Sequence, residues 1–326
     1  MNIGIIDSGV LMEYINGKVD IVENLDFSDS MKIETSRFNG TMHGTLVLNT
    51  IEKYSLKKNK YYICNIIGNN TGGTAGAVLR SLKYLQSKRE LQVIIMSLCI
   101  KKQNREINRI LHQLKKQGVI IFAAQENMGM SGFPASDYSV IGVGKETYSF
   151  DSSFTYYKKA LIQVKTNAHP EFVMMGQNNY QMFFGTSKAV PLFATMVMNQ
   201  LNEEHWNSGE IITFIQNNKR THAQLRKQYY HVQKKRNKNE EMYWWVWKYI
   251  NSFRYSRNQE KIAIKQPDYD LPIWSIVSQI SDVLELIEYI SKKAKIQIEY
   301  EKLLFKDFCT IGALVEYIEN QKVKMR

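Results

Sequence analysis

The feature that most restricts how this chain can fold is an alternation between short apolar runs and longer one-sided amphipathic stretches, sustained from Asn2 to about Asn218. Asn2–Ile6, Tyr61–Ile67, Gln92–Leu98, Val119–Ala124, Ser139–Val143 and Ala160–Val164 read as strands. Most are continuous Ile/Val-rich runs, the pattern of strands covered on both faces. Between them, Thr74–Gln86, Arg105–Lys116, Ser187–Asn202 and Ser208–Asn217 carry helical spacing. Strands alternating with helices form a parallel α/β sheet flanked by helices. Ligands of such sheets bind beyond the carboxyl ends of strands, and Asp7 and Asn127 both fall where a strand has just ended.

Three short blocks carry chemistry. Phe184-Gly185-Thr186-Ser187-Lys188-Ala189-Val190-Pro191 is a small-residue turn that runs into an apolar helical pattern. Gly185 allows a close backbone approach, and Pro191 falls in the first helical turn, where a missing N–H is tolerated. Ser187 therefore has its hydroxyl beside the positive end of a helix, a setting that suits a nucleophile. Gly4-Ile5-Ile6-Asp7-Ser8-Gly9 and Met42-His43-Gly44-Thr45 precede it. Taken singly, each block has a plain structural reading: a strand-to-turn ending for Asp7, a capping or packing histidine for His43, a helix N-cap for Ser187.

Together the blocks occur in the order Asp, His, Ser, and the sequence resembles the subtilisin family of serine peptidases, whose D-S/T-G, H-G-T and G-T-S-x-A-x-P motifs run in that order. Other landmarks are similar. Met96-Ser97-Leu98 looks like the strand lining the substrate cleft, and Phe122-Ala123-Ala124-Gln125-Glu126-Asn127 like the strand end that carries an oxyanion asparagine. Pro134-Ala135-Ser136, Val140–Gly144 and His205-Trp206-Asn207-Ser208 follow in register. The resemblance implies a subtilisin-like sheet and a triad. Ser187 would attack the scissile carbonyl, His43 would take its proton, and Asp7 would hold the imidazole. The Asn127 side chain and the Ser187 backbone N–H would bind the oxyanion. Ser97, Leu98, Cys99, Gly72 and Gly73 are the expected substrate-binding residues.

The chain departs from the family pattern near the expected cleft. Glu126 stands where glycine usually precedes the asparagine, Lys188 follows the nucleophile, and Leu192 replaces a usual histidine. Cys99 and Ile100 replace glycines of the first specificity pocket, which should narrow it and restrict substrate choice. Only six residues precede Asp7, whereas secreted relatives carry a signal and a folding pro-region there. The expectation is a selective endopeptidase that trims a precursor peptide. The rival reading is a non-catalytic scaffold of the same fold that grips a peptide and presents its tail to a biosynthetic partner.

Composition narrows the setting. At 326 residues the chain can bury a full core and one small extra module. No apolar run approaches the ~18–20 residues of a membrane span. No basic-then-apolar leader opens the sequence, and Cys64, Cys99 and Cys309 do not form a disulfide framework, so a reducing, cytoplasmic location is expected. Of the net charge of +12, a surplus of 10 lies in residues 219–265, which hold 13 Lys or Arg against 3 Glu. That segment reads as a solvated linker, or else as a surface for an acidic leader peptide or partner. No zinc, helix-turn-helix or single-strand-binding signature accompanies it, so nucleic acid is not an expected partner. No cofactor is expected: Gly72-Gly73-Thr74-Ala75-Gly76 lacks the lysine of a phosphate-binding loop, and no metal-ligand spacing occurs.

The domain organisation expected is a peptidase domain over 1–220, a basic and aromatic linker with a docking helix over 221–265, and a small helical module over 266–326. Tyr243-Trp244-Trp245-Val246-Trp247 is too aromatic to stay in solvent and marks the docking helix. From Ile273 onward, Ile276, Ile280, Val283, Leu284, Ile287 and Ile290 recur at helical spacing, and Ile311, Leu314, Val315 and Ile318 form a last short helix. This tail is similar to the second half of an acyl or peptidyl carrier domain. Ile280 occupies the position of the serine that would carry phosphopantetheine, with Ser278 and Ser281 nearby, so the resemblance implies a carrier-like fold that binds a partner without a clear attachment site.

Overall fold

A computed structural model describes the chain apart from residues 16, 18, 29–33, 36–41, 69–72, 131, 178, 202–207, 235–237, 278, 280–281 and 325–326. Two compact units result. One comprises residues 1–169, 173–179 and 183–225, the other residues 170–172, 180–182 and 226–326.

The first unit is built on strands β1 (Asn2–Asp7), β2 (Asp20–Asp26), β3 (Glu34–Thr35), β4 (Lys60–Asn65), β5 (Val93–Met96), β6 (Ile120–Ala124), β7 (Ile141–Glu146), β8 (Phe154–Tyr156) and β9 (Val164–Asn167). They form one sheet in the order β3-β2-β4-β1-β5-β6-β7-β9-β8. Pairing is parallel from β2 through β9, and each edge strand, β3 and β8, runs antiparallel to its neighbour. Helices α1 (His43–Tyr54), α2 (Ala75–Gln86), α3 (Arg105–Lys116), α4 (Thr186–Gln200) and α5 (Ser208–Asn218) belong to this unit.

Successive strand residues point to opposite faces, so a continuous apolar run supplies two cores at once. Ile3, Ile5, Val93, Ile95 and Phe122 meet Val47 of α1 and Phe193 of α4 on one face. Ile94, Met96, Ile121 and Ala123 meet Val78 and Leu82 of α2 and Ile107 and Leu111 of α3 on the other. Local signals set the helix ends. The Thr74 hydroxyl accepts from the Ala77 N–H at the start of α2, and the Asn104 side chain accepts from the Glu106 and Ile107 N–H groups at the start of α3. Gly118, at φ 89°, turns the chain out of α3 toward β6.

The expected strands near residues 2, 61, 92, 119 and 139 are present, with ends shifted by at most three residues. The Ala160–Val164 run differs: the strand begins at Val164, and residues 157–163 form a turn closed by the Ala160 N–H on the Tyr157 carbonyl and the Tyr157 N–H on the Gln163 carbonyl. The small sheet of β10 (Glu171–Met174) and β11 (Tyr180–Phe183) was not legible in the sequence pattern. Helix α6 (His222–Lys234) occupies the basic run read as a linker.

In the second unit, α7 (Glu240–Ser256) packs against α8 (Asp282–Ala294) and α9 (Ile311–Lys324). Its Tyr243, Val246, Trp247, Ile250 and Phe253 are buried. The Tyr243 hydroxyl accepts from the Asp268 N–H and donates to the Asp268 carbonyl, which fixes the segment leading to α8. Thus Tyr243, Val246 and Trp247 of the aromatic run are buried within their own unit, while Trp244 and Trp245 are half-buried. Ser278, Ile280 and Ser281 lie outside the described residues. Among the described residues, no helix is long and apolar enough to cross a membrane.

Candidate active site

Asp7 is the last residue of β1 and His43 the first of α1, and the fold brings them together across 36 residues of chain. The His43 Nδ1 and Asp7 Oδ1 atoms are 2.7 Å apart. Asp7 is 3% exposed, and its Oδ2 has no hydrogen-bond partner among the described residues. A buried carboxylate so placed favours a positive neighbour. Burial acts to lower the His43 pKa, but the charge and hydrogen bond of Asp7 outweigh it, and the net shift is upward from the ordinary 6.5. The imidazole ring stands edge-on to Phe183, at 5.6 Å between ring centroids. Its side chain is 35% exposed, so one edge of the ring remains accessible.

The D-S-G and H-G-T blocks lock to one another by backbone contact. The Ser8 hydroxyl accepts from the Gly44 N–H at 2.9 Å, and the Thr45 hydroxyl accepts from the Leu11 N–H at 3.0 Å. The Ser8 N–H donates to Asp7 Oδ1 at 2.8 Å, so this oxygen is held by both its own turn and His43.

Ser187 is the second residue of α4, entered through Gly185 at φ 78°. This left-handed entry is open to glycine and strained for other residues. Ser187 is half-buried. The Ser97 hydroxyl, just beyond β5, donates to the Ser187 carbonyl at 3.1 Å and ties the turn to the sheet. Helices α1 and α4 pack against each other on one face of the sheet, so the helices that begin with His43 and Thr186 are neighbours.

Asn127 follows β6, and its Oδ1 accepts from both the Thr186 N–H (3.2 Å) and the Thr186 hydroxyl (2.9 Å). Because both Thr186 groups act as donors, the atom facing them is the oxygen, and the amide NH₂ is left as the donor for a ligand. Asn127 itself is exposed. Of the other expected residues, Ser97 is buried, Leu98 is half-buried and Cys99 is an exposed free thiol. Gly73 sits immediately before the Thr74 cap of α2, in the connection from β4, whose first loop residue Ile66 donates to the Asp7 carbonyl. Gly72 and His205-Trp206-Asn207 lie outside the described residues.

The burial of Lys188 and the placement of His169 are not legible in the sequence. Lys188, directly after Ser187, is 1% exposed. His169 lies in the loop whose Ala168 carbonyl accepts from the Gly185 N–H. Burial, opposed by the hydrogen bond to the Thr147 carbonyl and reinforced by the Lys188 charge, brings the His169 pKa down to about 4. No periodicity could reveal a buried lysine in a helix's first turn. Among the described residues, no three His, Cys, Asp or Glu side chains gather as a metal site.

The sheet order, the strand-end position of Asp7 and the helix starting at the serine turn together define a subtilisin-like α/β fold. Among solved structures, the chain is similar to Sphericase, with a TM-score of 0.50 and 18% identity over 70% of this chain and 81% of that one. It is also similar to the S41 psychrophilic protease, with a TM-score of 0.51 and 17% identity over the same shares. No family model matches the chain, and no curated protein matches it.

Proposed function

We propose that this chain is a subtilisin-like serine endopeptidase acting through Asp7, His43 and Ser187. The observation that carries the reading is the 2.7 Å contact between His43 Nδ1 and Oδ1 of the buried Asp7 carboxylate, whose Oδ2 has no hydrogen-bond partner among the described residues. That contact leaves Nε2 as the base for a serine hydroxyl and stabilises the imidazolium formed when the proton transfers. Ser187 Oγ bonds to the acyl carbon as its proton moves to His43. The same proton then passes to the leaving amine, and water repeats the sequence to release the acid and restore the hydroxyl. The Asn127 NH₂ and the Ser187 N–H serve the oxyanion, with Thr186 holding the amide in register.

The substrate is a precursor peptide cut selectively in the cytoplasm, a reading supported by the bulk that Cys99 and Ile100 bring to the cleft. The C-terminal helical unit is carrier-like and binds a partner protein, without bearing phosphopantetheine. A mass gain of that group after treatment with a broad carrier transferase would overturn the last point.

Intact-mass analysis after exposure to a fluorophosphonate tests the activity. A single adduct on the wild type, lost in Ser187→Ala and in His43→Ala, is the expected result. A folded wild type that takes no adduct would sink the peptidase reading.

A further inference from the structure

The crevice between the ends of the neighbouring parallel strands β5 and β6 is bordered by Ser97, Leu98 and Cys99 on one side and by Glu126 and Asn127 on the other. It borders the serine turn as well: Ser97 bonds the Ser187 carbonyl on one side, and Asn127 bonds Thr186 on the other. A side chain borne by a carbonyl placed at Ser187 and Asn127 would enter this crevice. Its far wall is close-packed. A Cβ on Gly132 would stand 2.6 Å from Cys99 Sγ and 3.3 Å from Glu126 Cβ, and the Ile100 N–H donates to the Phe133 carbonyl at 2.6 Å behind them.

The Glu126 carboxylate is held in place there. Its Oε2 accepts from the Met128 N–H at 2.7 Å, and its Oε1 has no hydrogen-bond or ion-pair partner among the described residues. The half-buried side chain directly precedes the oxyanion donor. Its field reaches the crevice: burial raises the Cys99 thiol pKa, the hydrogen bond to Phe133 opposes this, and the Glu126 charge adds to the rise. A negative charge beside a forming oxyanion opposes the reaction. A substrate that brings a cation into the same crevice removes that penalty, and one that does not must overcome it.

We infer that Glu126 makes the crevice beside Asn127 select a lysine or arginine on the acyl side of the scissile bond. This rests on the peptidase reading above. The terminal cation meets the unpartnered carboxylate oxygen of Glu126, which directly precedes Asn127.

Peptidyl diphenyl phosphonates that differ only in that residue, arginine-like against norleucine, read the selection as a ratio of labelling rates within each protein, so a general loss of reactivity cancels. The wild type should favour the cationic probe by roughly 10- to 100-fold, the scale expected of a partly desolvated charge pair. Glu126→Gln should bring the ratio near one, and Glu126→Lys should invert it in favour of an acidic probe. A wild-type ratio near one, or a ratio unchanged in Glu126→Gln while Ser187 is still labelled, overturns the inference and leaves the peptidase reading standing. No labelling of Ser187 by these probes or by a plain fluorophosphonate overturns both.

Discussion

A Cβ on Gly44 would lie 2.2 Å from the carbonyl oxygen of Gly9, so the first turn of α1 and the turn after β1 touch backbone to backbone. This contact is why the histidine and aspartate blocks each need their glycine. Gly9 takes φ 75°, which presents its carbonyl to Gly44, and Ser8 then accepts the Gly44 N–H. Gly44→Ala should force α1 away from the sheet, at about 1–3 kcal/mol of stability. Thermal unfolding should fall by several degrees, at roughly 2–4 °C per kcal/mol for a chain of this size. Fluorophosphonate labelling should fall by more than the folded fraction does, because the shift separates His43 from Asp7.

Asp7→Asn keeps the shape of the pair and removes its charge. Turnover on a peptide should fall by about 10⁴, as expected when the imidazole loses the group that fixes its tautomer. The pH profile carries the sign. In the proposed triad His43 must be neutral to act as base, so the rate should rise with pH through a midpoint above 6.5 in the wild type. In Asp7→Asn burial acts alone on the imidazole, and the midpoint should move down. An unmoved midpoint would show that another group controls the rate.

Much of the scaffold was legible because β1, β4, β5 and β6 are buried on both faces and must be continuously apolar. What was missed has physical causes. β2 carries Asp20, Glu23 and Asp26, and its pairing with β4 shifts register between Ile21 and Glu23, so neither continuity nor alternation shows. Helix α1 buries Thr45, Asn49 and Thr50 along with Val47, Leu48 and Ile51, and a helix covered on most sides has no polar stripe to reveal it. In α6 the opposite holds: over 222–230 only Leu225 is buried. The resemblance carried by the ordered Asp, His and Ser blocks implies Asp7, His43, Ser187 and Asn127 as candidates. The contacts that orient them, such as Thr186 on Asn127, depend on which strands are neighbours, and no local pattern encodes that.

His43 and His169 should act on stability in opposite directions. The folded pKa of His43 is raised, so its contribution is fully present below 6.5 and is lost as pH rises through the folded value. The folded pKa of His169 is lowered to about 4, so the unfolded chain binds the extra proton between 6.5 and 4, and stability falls as pH drops through that window. Urea unfolding midpoints recorded from pH 4 to 8 should therefore show less acid loss in His169→Gln than in the wild type. In Lys188→Met, the His169 ring resonances should titrate at a higher pH, because one of the causes of its depression is gone. A titration that stays in place would mean that burial alone sets it.

The role of Thr186 separates orientation from binding. If Asn127 serves the oxyanion as proposed, Asn127→Ala should reduce kcat by roughly 10²–10³ with KM little changed. Thr186→Val keeps the backbone N–H on Asn127 Oδ1 but deletes the 2.9 Å hydroxyl bond, so the amide retains one of its two anchors. The expected loss is smaller, about 10-fold, the worth of one hydrogen bond that holds a catalytic group in place. In the Asn127→Ala background the same change should cost little, since there is no amide left to orient. If Thr186→Val costs as much with Asn127 absent as with it present, Thr186 acts through the helix start and not through the amide.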